Sequence, residues 1–367
     1  MSILFSPYTL AGTQLKNRVV MAPMTRARAV TTVPDELTER YYRQRASAGL
    51  IISEGVPVSL QGRGYLFNPG LYTQAQVDGW KTVTAAVHAE GGRIFAQLWH
   101  VGRVSHTTLQ AEGEAPVSAS GKQAAHSMAY AYDEHGQPGP VQASVPRALT
   151  TAEVKGVVAD FVLAARRAIE AGFDGVEIHG ANGYLFEQFI NPTVNDRTDE
   201  YGGSIENRLR LLLETVDAVA AAIGRGKVGV RISPFGRLFD MAAFEDEAET
   251  WVQVAKALQQ RDIAYVHLSD QLTIGAEGMP EGFARTFRAS YQGTLIAAGG
   301  FARDSAQRAL ETGELDLTAF GRPFIANPDL VERLRNDWPL ATPDRATFYG
   351  NSGAKGYVDY PVYSAAE

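Results

Sequence analysis

The sequence predicts an α/β fold, a single (β/α)8 TIM barrel, on three observations. Eight short apolar runs alternate with longer amphipathic segments almost from end to end. Most of these runs are continuously apolar, as in parallel strands covered on both faces, rather than apolar at every second position. No Gly-x-Gly-x-x-Gly follows the first run, which disfavours the rival doubly wound sheet.

In chain order, residues 4–16 (LFSPYTLAGTQLK) read as a β-hairpin turning at Ala11-Gly12 that caps the bottom of the barrel. The strands follow at 18–24 (RVVMAPM), 50–54 (LIISE), 93–100 (RIFAQLWH) and 175–180 (GVEIHG). They continue at 227–233 (KVGVRIS), 264–270 (AYVHLSD), 294–300 (TLIAAGG) and 317–322 (LTAFGR). Helical patterns occupy 76–90, 151–171, 206–223 and 248–261, and Thr150 with Glu153 forms a capping box for the second of these. Residues 101–147, after the third strand, are rich in Gly, Pro, Ser and Ala and have little periodicity. An insertion this long is usually a functional lid or an ordered excursion. No repeat, low-complexity tract or linker interrupts the pattern, so residues 1–367 read as one domain.

Composition narrows the function classes. The 367 residues are 45% hydrophobic and 20% charged, which suits a globular chain with a large core. A net charge of −7 and a pI near 5.6 recommend neither nucleic acid nor an anionic membrane as partner. Cysteine is absent, which excludes disulfides, thiolate metal sites and cysteine nucleophiles. The N-terminus has no signal-peptide pattern and no window matches a membrane span, so a cytoplasmic location is expected.

In such barrels chemistry sits at the C-terminal ends of the strands. Gly299-Gly300 ends the seventh strand and Gly321-Arg322 the eighth, where this fold usually binds phosphate through backbone N–H groups and a guanidinium fork. Alone, Gly299-Gly300 would read as a tight turn; Arg322 at the matching neighbouring end makes phosphate the better reading. Arg231 lies inside the apolar fifth strand and needs a partner, either a structural carboxylate or a ligand near the barrel axis. The fourth strand runs into His179, Asn182 and Tyr184. Two hydrogen-bond donors beside a phenol, which stays protonated near neutrality, suit a reaction in which charge develops on a carbonyl or nitro oxygen. His100 and His106 lack an acidic partner at ligand spacing, and no metal is expected.

The chain resembles the Old Yellow Enzyme family of FMN-dependent ene-reductases along nearly its whole length. The motifs that carry the resemblance are NRVVMAPMTRAR (17–28), LIISEG (50–55), FAQLWHVGR (95–103), GVEIHGANGYLFEQFINPTVNDRTDEYGGSIENR (175–208) and FGRPFIANPDLVERL (320–334). It implies FMN held without a covalent bond, with NADPH or NADH as hydride donor and an electron-poor alkene as small-molecule substrate. By motif position, Thr25 would bond the flavin, with Pro23 and Gly55 near its ring, Gln97 at the pyrimidine edge and Arg231 at the N1/O2 end. Gly299, Gly300, Gly321 and Arg322 would bind the phosphate. His179 and Asn182 would grip the substrate oxygen, Tyr184 would protonate the α-carbon, and Tyr65, Trp99 and Tyr349 would line the pocket. The implied mechanism is ping-pong, with hydride passing through flavin N5 to the β-carbon of an α,β-unsaturated carbonyl, maleimide or nitro compound. Reduction of nitrate esters or nitroaromatics is the narrower alternative.

Two other classes compete: a flavin-free barrel acting on a phosphorylated substrate, and an idle FMN-binding protein. The resemblance leaves monomer and homodimer equally open. The 101–147 insertion and the 271–283 loop are expected to set nicotinamide and substrate preference.

Overall fold

Eight parallel strands close on themselves in the order in which the chain makes them. They are β1 (Val19–Met21), β2 (Leu50–Pro57), β3 (Ile94–Trp99), β4 (Gly175–Gly180), β5 (Val228–Ile232), β6 (Tyr265–Ser269), β7 (Leu295–Ala298) and β8 (Leu317–Phe320). The ring closes where Phe320 of β8 pairs with Met21 of β1. The computed structural model describes residues 2–272, 278–350 and 352–364. Residues 273–277 of the 271–283 loop therefore lie outside the described residues.

Each expected run contains one strand, and the ends differ for local reasons. β1 stops before Pro23, which cannot donate to a ladder. β7 stops before Gly299-Gly300, where Gly300 turns through a φ of +77°. β2 continues past Glu54 to Pro57 because its register against β3 shifts between Ile52 and Gly55.

The strands bury both faces, but the inner face is not uniform. Val20, Ala22, Leu50, Ile52, Ile296, Leu317 and Ala319 fill the interior from β7 round to β2, joined by Leu10 and Leu15 of the N-terminal hairpin. That hairpin pairs Tyr8–Leu10 with Thr13–Leu15, as the sequence predicts. From β3 to β6 the inward positions are polar, with Gln97, Glu177, His179, Arg231 and His267, while Val176, Ile178, Val230, Ile232, Val266 and Leu268 join the outer core. A hydrogen bond from His267 on β6 to Glu177 on β4 skips a strand and so crosses the interior. Below this layer Gly175 and Gly229 make room for rings: a Cβ would lie 2.5 Å from Phe95 and 2.2 Å from Tyr265 respectively.

Helices cover the outside, among them α1 (Glu36–Arg43), α2 (Gln74–Ala89), α3 (Thr151–Glu170), α4 (Leu185–Ile190) and α5 (Ile205–Ile223). The chain adds α6 (Glu247–Gln259), α7 (Phe283–Ser290), α8 (Arg303–Glu311), α9 (Arg322–Ala326) and α10 (Leu330–Asn336). The Thr150–Glu153 capping box forms at α3 as expected. No described helix is long and apolar enough to cross a membrane.

The 101–147 insertion has more order than its composition suggests. It carries an antiparallel hairpin, Met128–Tyr132 with Pro138–Gln142, that docks on the 64–66 loop through Leu66 N–H to Tyr130 O at 2.8 Å. Gln188 of α4 ties the insertion down, accepting from Arg103 N–H and Ser118 Oγ and donating to Val101 O and Gly183 O.

Arg45 locks the start of the post-β8 segment. Its buried guanidinium donates to Phe324 O, Tyr41 O and Ile325 O, each at 2.8 Å, and lies 3.9 Å from the Tyr41 ring centroid. Arg45→Met keeps the aliphatic stem but leaves three buried carbonyls unpaired. We expect a loss of about 3 kcal/mol or more in denaturant unfolding. A loss under about 0.5 kcal/mol, the scale of an ordinary surface change, would show that these bonds are replaceable.

Candidate active site

The site begins with Arg231, whose strand register places it between His179 on β4 and His267 on β6. The side chain is buried, and its Nε has no hydrogen-bond partner among the described residues. Its counter-charge is Glu177, fully buried one layer down. Burial alone would raise the Glu177 carboxyl, yet His267, Arg231 and Gln97 together hold it below its ordinary value. Gln97 Nε2 donates to Glu177 at 2.8 Å and His267 Nδ1 at 2.9 Å. Burial lowers the His267 pKa and outweighs Glu177, which raises it, with Arg231 adding a smaller lowering, so this ring donates as a neutral imidazole.

Above Arg231 lies the group predicted from the fourth strand. His179 Nδ1 accepts from Ala181 N–H at 3.3 Å, which puts the ring proton on Nε2. Burial first, then Arg231 and His267, push its pKa well below 6.5, so the ring is neutral. Asn182 follows in a left-handed conformation at φ +59°. Its Oδ1 accepts from Ser269 Oγ at 3.3 Å and Gln271 Nε2 at 3.4 Å. Gln271 is itself oriented, because its Oε1 takes Arg237 N–H at 2.8 Å. With Oδ1 engaged, the Asn182 amide offers its Nδ2 donor. Tyr184 is the N-cap residue of α4; its ring meets His179 edge-on at 5.1 Å and Trp99 at 4.9 Å. Burial raises the Tyr184 pKa well above 10, and its hydroxyl pairs with that of Tyr65 at 3.1 Å. The structure thus brings His179, Asn182, Tyr184, Tyr65 and Trp99 together.

Two other predicted groups occupy the same barrel end. Pro23 and Thr25 follow β1 on a turn that passes through φ +53° at Ala27, and buried Glu54 accepts the Arg26 N–H at 3.3 Å. Gly55 faces Trp99, and a Cβ there would sit 2.4 Å from the indole. Gly299-Gly300 and Gly321-Arg322 become neighbours because Ala298 pairs with Ala319, and Gly300 and Arg322 are exposed. Tyr349 is 62% exposed, at the rim rather than among the buried rings. His100 is a core residue, accepting Gly102 N–H at 3.1 Å, and His106 caps a short turn at Thr108.

The sequence reading passed over several residues that build this site. Glu177, His267, Ser233, Gln271 and Glu187 act through contacts between distant parts of the chain. Arg26 and Arg28 anchor the C-terminal segment by donating to Thr347 O, Phe348 O, Gly353 O and Gly356 O. A signal existed for some of them: a buried-strand carboxylate such as Glu177 needs a partner as much as Arg231 does.

Residues 3–341 match the model of the NADH:flavin oxidoreductase / NADH oxidase family. 12-oxophytodienoate reductase 1 of Oryza sativa subsp. japonica is 44% identical, covering 98% of this chain and 92% of its own length. 12-oxophytodienoate reductase 2 of Arabidopsis thaliana is 43% identical, over 98% and 95%. Among solved structures, morphinone reductase superposes with a TM-score of 0.95 at 48% identity, covering 99% of this chain and 96% of its own. A morphinone reductase complex with tetrahydroNAD gives 0.94 at 48% identity, over 98% of both chains.

Glu54 and Glu187 share an electrostatic signature: burial raises each from an ordinary 4.5 to about 7, against hydrogen bonds that pull it back. A carboxyl raised in the folded state lends stability that is full below pH 4.5 and lost as pH climbs through 7. Asp199 and Glu153, each lowered to about 2 first by its arginine partner, act in the opposite sense and at lower pH. The two raised groups should therefore make the thermal midpoint fall from pH 4.5 to 7, and Glu54→Gln should flatten that slope. An unaltered slope in the Glu54→Gln variant would refute the assignment.

Proposed function

Because the chain belongs to the NADH:flavin oxidoreductase / NADH oxidase family, the Old Yellow Enzyme family, we propose that it reduces activated carbon–carbon double bonds. The substrates are α,β-unsaturated carbonyl, maleimide or nitro compounds. FMN is the cofactor and NADH or NADPH the reductant. When bound, FMN supplies two-electron hydride chemistry that couples nicotinamide oxidation to alkene reduction.

The protein's own residues fit that group. Arg231 carries a buried, unpaired Nε donor at the barrel mouth, where an electron-rich ring edge would complete its hydrogen bonding. Gln97, Thr25, Pro23 and Gly55 would hold the ring, and Gly299, Gly300, Gly321 and Arg322 the phosphate. The observation that carries the proposal is the pair of committed amide and imidazole groups. His179 spends Nδ1 on Ala181 and Asn182 spends Oδ1 on Ser269 and Gln271, leaving two N–H donors for one substrate oxygen. These donors stabilise charge as it develops on that oxygen, and they would serve a nitro oxygen as they serve a carbonyl. Tyr184, kept protonated by burial, gives its proton to the α-carbon. Trp99 and Tyr65 wall the site, stacked with ring centroids 5.3 Å apart, and Tyr349 overhangs its rim.

Tyr184→Phe should slow reduction of 2-cyclohexenone by about 100-fold, the lower range for loss of a general acid, while flavin reduction by NADPH stays within about twofold. Anaerobic stopped-flow separates the two half-reactions, and equal losses in both would make Tyr184 a structural residue. His179→Ala should weaken binding of 4-hydroxybenzaldehyde, a phenol, by about tenfold, equivalent to one charge-assisted hydrogen bond. An unchanged affinity would remove His179 from the oxygen-binding role.

A further inference from the structure

The 181–184 turn aims both Asn182 and Tyr184, yet its conformation is an unfavourable one. Asn182 and Gly183 are consecutive left-handed residues, at φ +59° and +75°. Such a pair turns successive N–H groups toward one side, where they need acceptors. The Asn182 N–H reaches Ser233 Oγ at 2.6 Å, and the Gly183 N–H reaches Glu187 Oε2. Ser233 in turn donates its hydroxyl to Glu187 Oε1 at 2.5 Å. Both branches end on one carboxylate, buried on α4 three residues beyond Tyr184.

We propose that Glu187 is the positioning residue of the oxygen-binding pair: its carboxylate holds the 181–184 turn through Gly183 directly and through Ser233 to Asn182. The inference rests on the ene-reductase reading given above. It stands on the polarity of the network. Both neighbours donate to Glu187, one to each oxygen, and a carboxyl group has an acceptor at both positions where a carboxamide has only one. Ser233 Oγ already accepts from Asn182, so its single hydrogen must go to Glu187. A carboxamide of the same size would accept from one neighbour but present N–H to the other, and one of the two branches would fail. The charged groups set against Glu187 include Glu247, itself paired with Arg237 at 2.8 Å, and the Arg231 guanidinium.

Among the described residues Glu187 forms no hydrogen bond to Asn182 Oδ1 or to His179, so its influence passes through the backbone of the turn. The test uses FMN-loaded full-length protein as wild type, Glu187→Gln and Ser233→Ala. Each is titrated with 4-hydroxybenzaldehyde and followed by flavin absorption; KM and kcat for 2-cyclohexenone, FMN content and the thermal midpoint are measured on the same samples. Glu187→Gln should lose at least tenfold in phenol affinity and raise KM by a similar factor, with FMN content retained. Ser233→Ala, which cuts only the Asn182 branch, should lose three- to tenfold. The proposal is overturned if both variants bind the phenol within twofold of wild type, or if affinity falls only in step with FMN content. A wild-type protein that neither binds the phenol nor reduces 2-cyclohexenone overturns the ene-reductase reading instead, and this inference with it.

Discussion

A permanent cation buried inside the barrel sets the terms for the residues around it. Arg231 cannot shed its charge and has little water near it, so neighbouring groups must accommodate it. Glu177 does so as an anion, held ionised by Gln97, His267 and Arg231 in combination. His179 and His267 do so by staying neutral. Neutrality gives His179 one defined N–H, and a defined N–H can point at a substrate atom. The chemistry of the mouth therefore follows from burial first, and from the placement on β5 of the guanidinium that reinforces it.

That placement divides the barrel. From β7 to β2 the interior is ordinary aliphatic packing that continues down to the hairpin leucines. From β3 to β6 each strand carries polar side chains inward and apolar side chains outward. The apolar half and its helices supply rigidity; the polar half presents hydrogen bonds at fixed angles. Two glycines, Gly175 and Gly229, mark the base of the polar half, where Phe95 and Tyr265 need the space that side chains would occupy.

The strands and the His179–Tyr184 cluster were legible because they are local patterns: apolar runs, and polar residues arriving where a run stops. The Thr150 capping box and the Ala11-Gly12 hairpin were legible for the same reason. Polar alternation in β3 to β6 was hidden, since single residues such as Gln97 and His267 look like interruptions of an apolar run. The Pro138–Gln142 strand was hidden by Pro138, Gly139 and Pro140, poor strand formers that a hairpin edge tolerates. Glu187 and Ser233 are 46 positions apart, and Asn182 and Gln271 are 89 apart, so no motif window contains either pair. Tyr349 shows the converse limit, since a resemblance can suggest a pocket-lining position without giving its burial.

Arg26 and Arg28 hold the C-terminal segment by its carbonyl oxygens and by lying over the Tyr357 ring, 5.2 and 5.0 Å from its centroid. A carbonyl is present whatever residue bears it, but its aim is not: Gly350, Gly353 and Gly356 turn through positive φ, and a Cβ at Gly356 would lie 1.9 Å from Thr347 Oγ1. Tyr349 projects from that stretch at the rim of the candidate site. The seat of that tyrosine is thus set twice over, by two guanidiniums beneath the segment and by glycines that bend its backbone toward them.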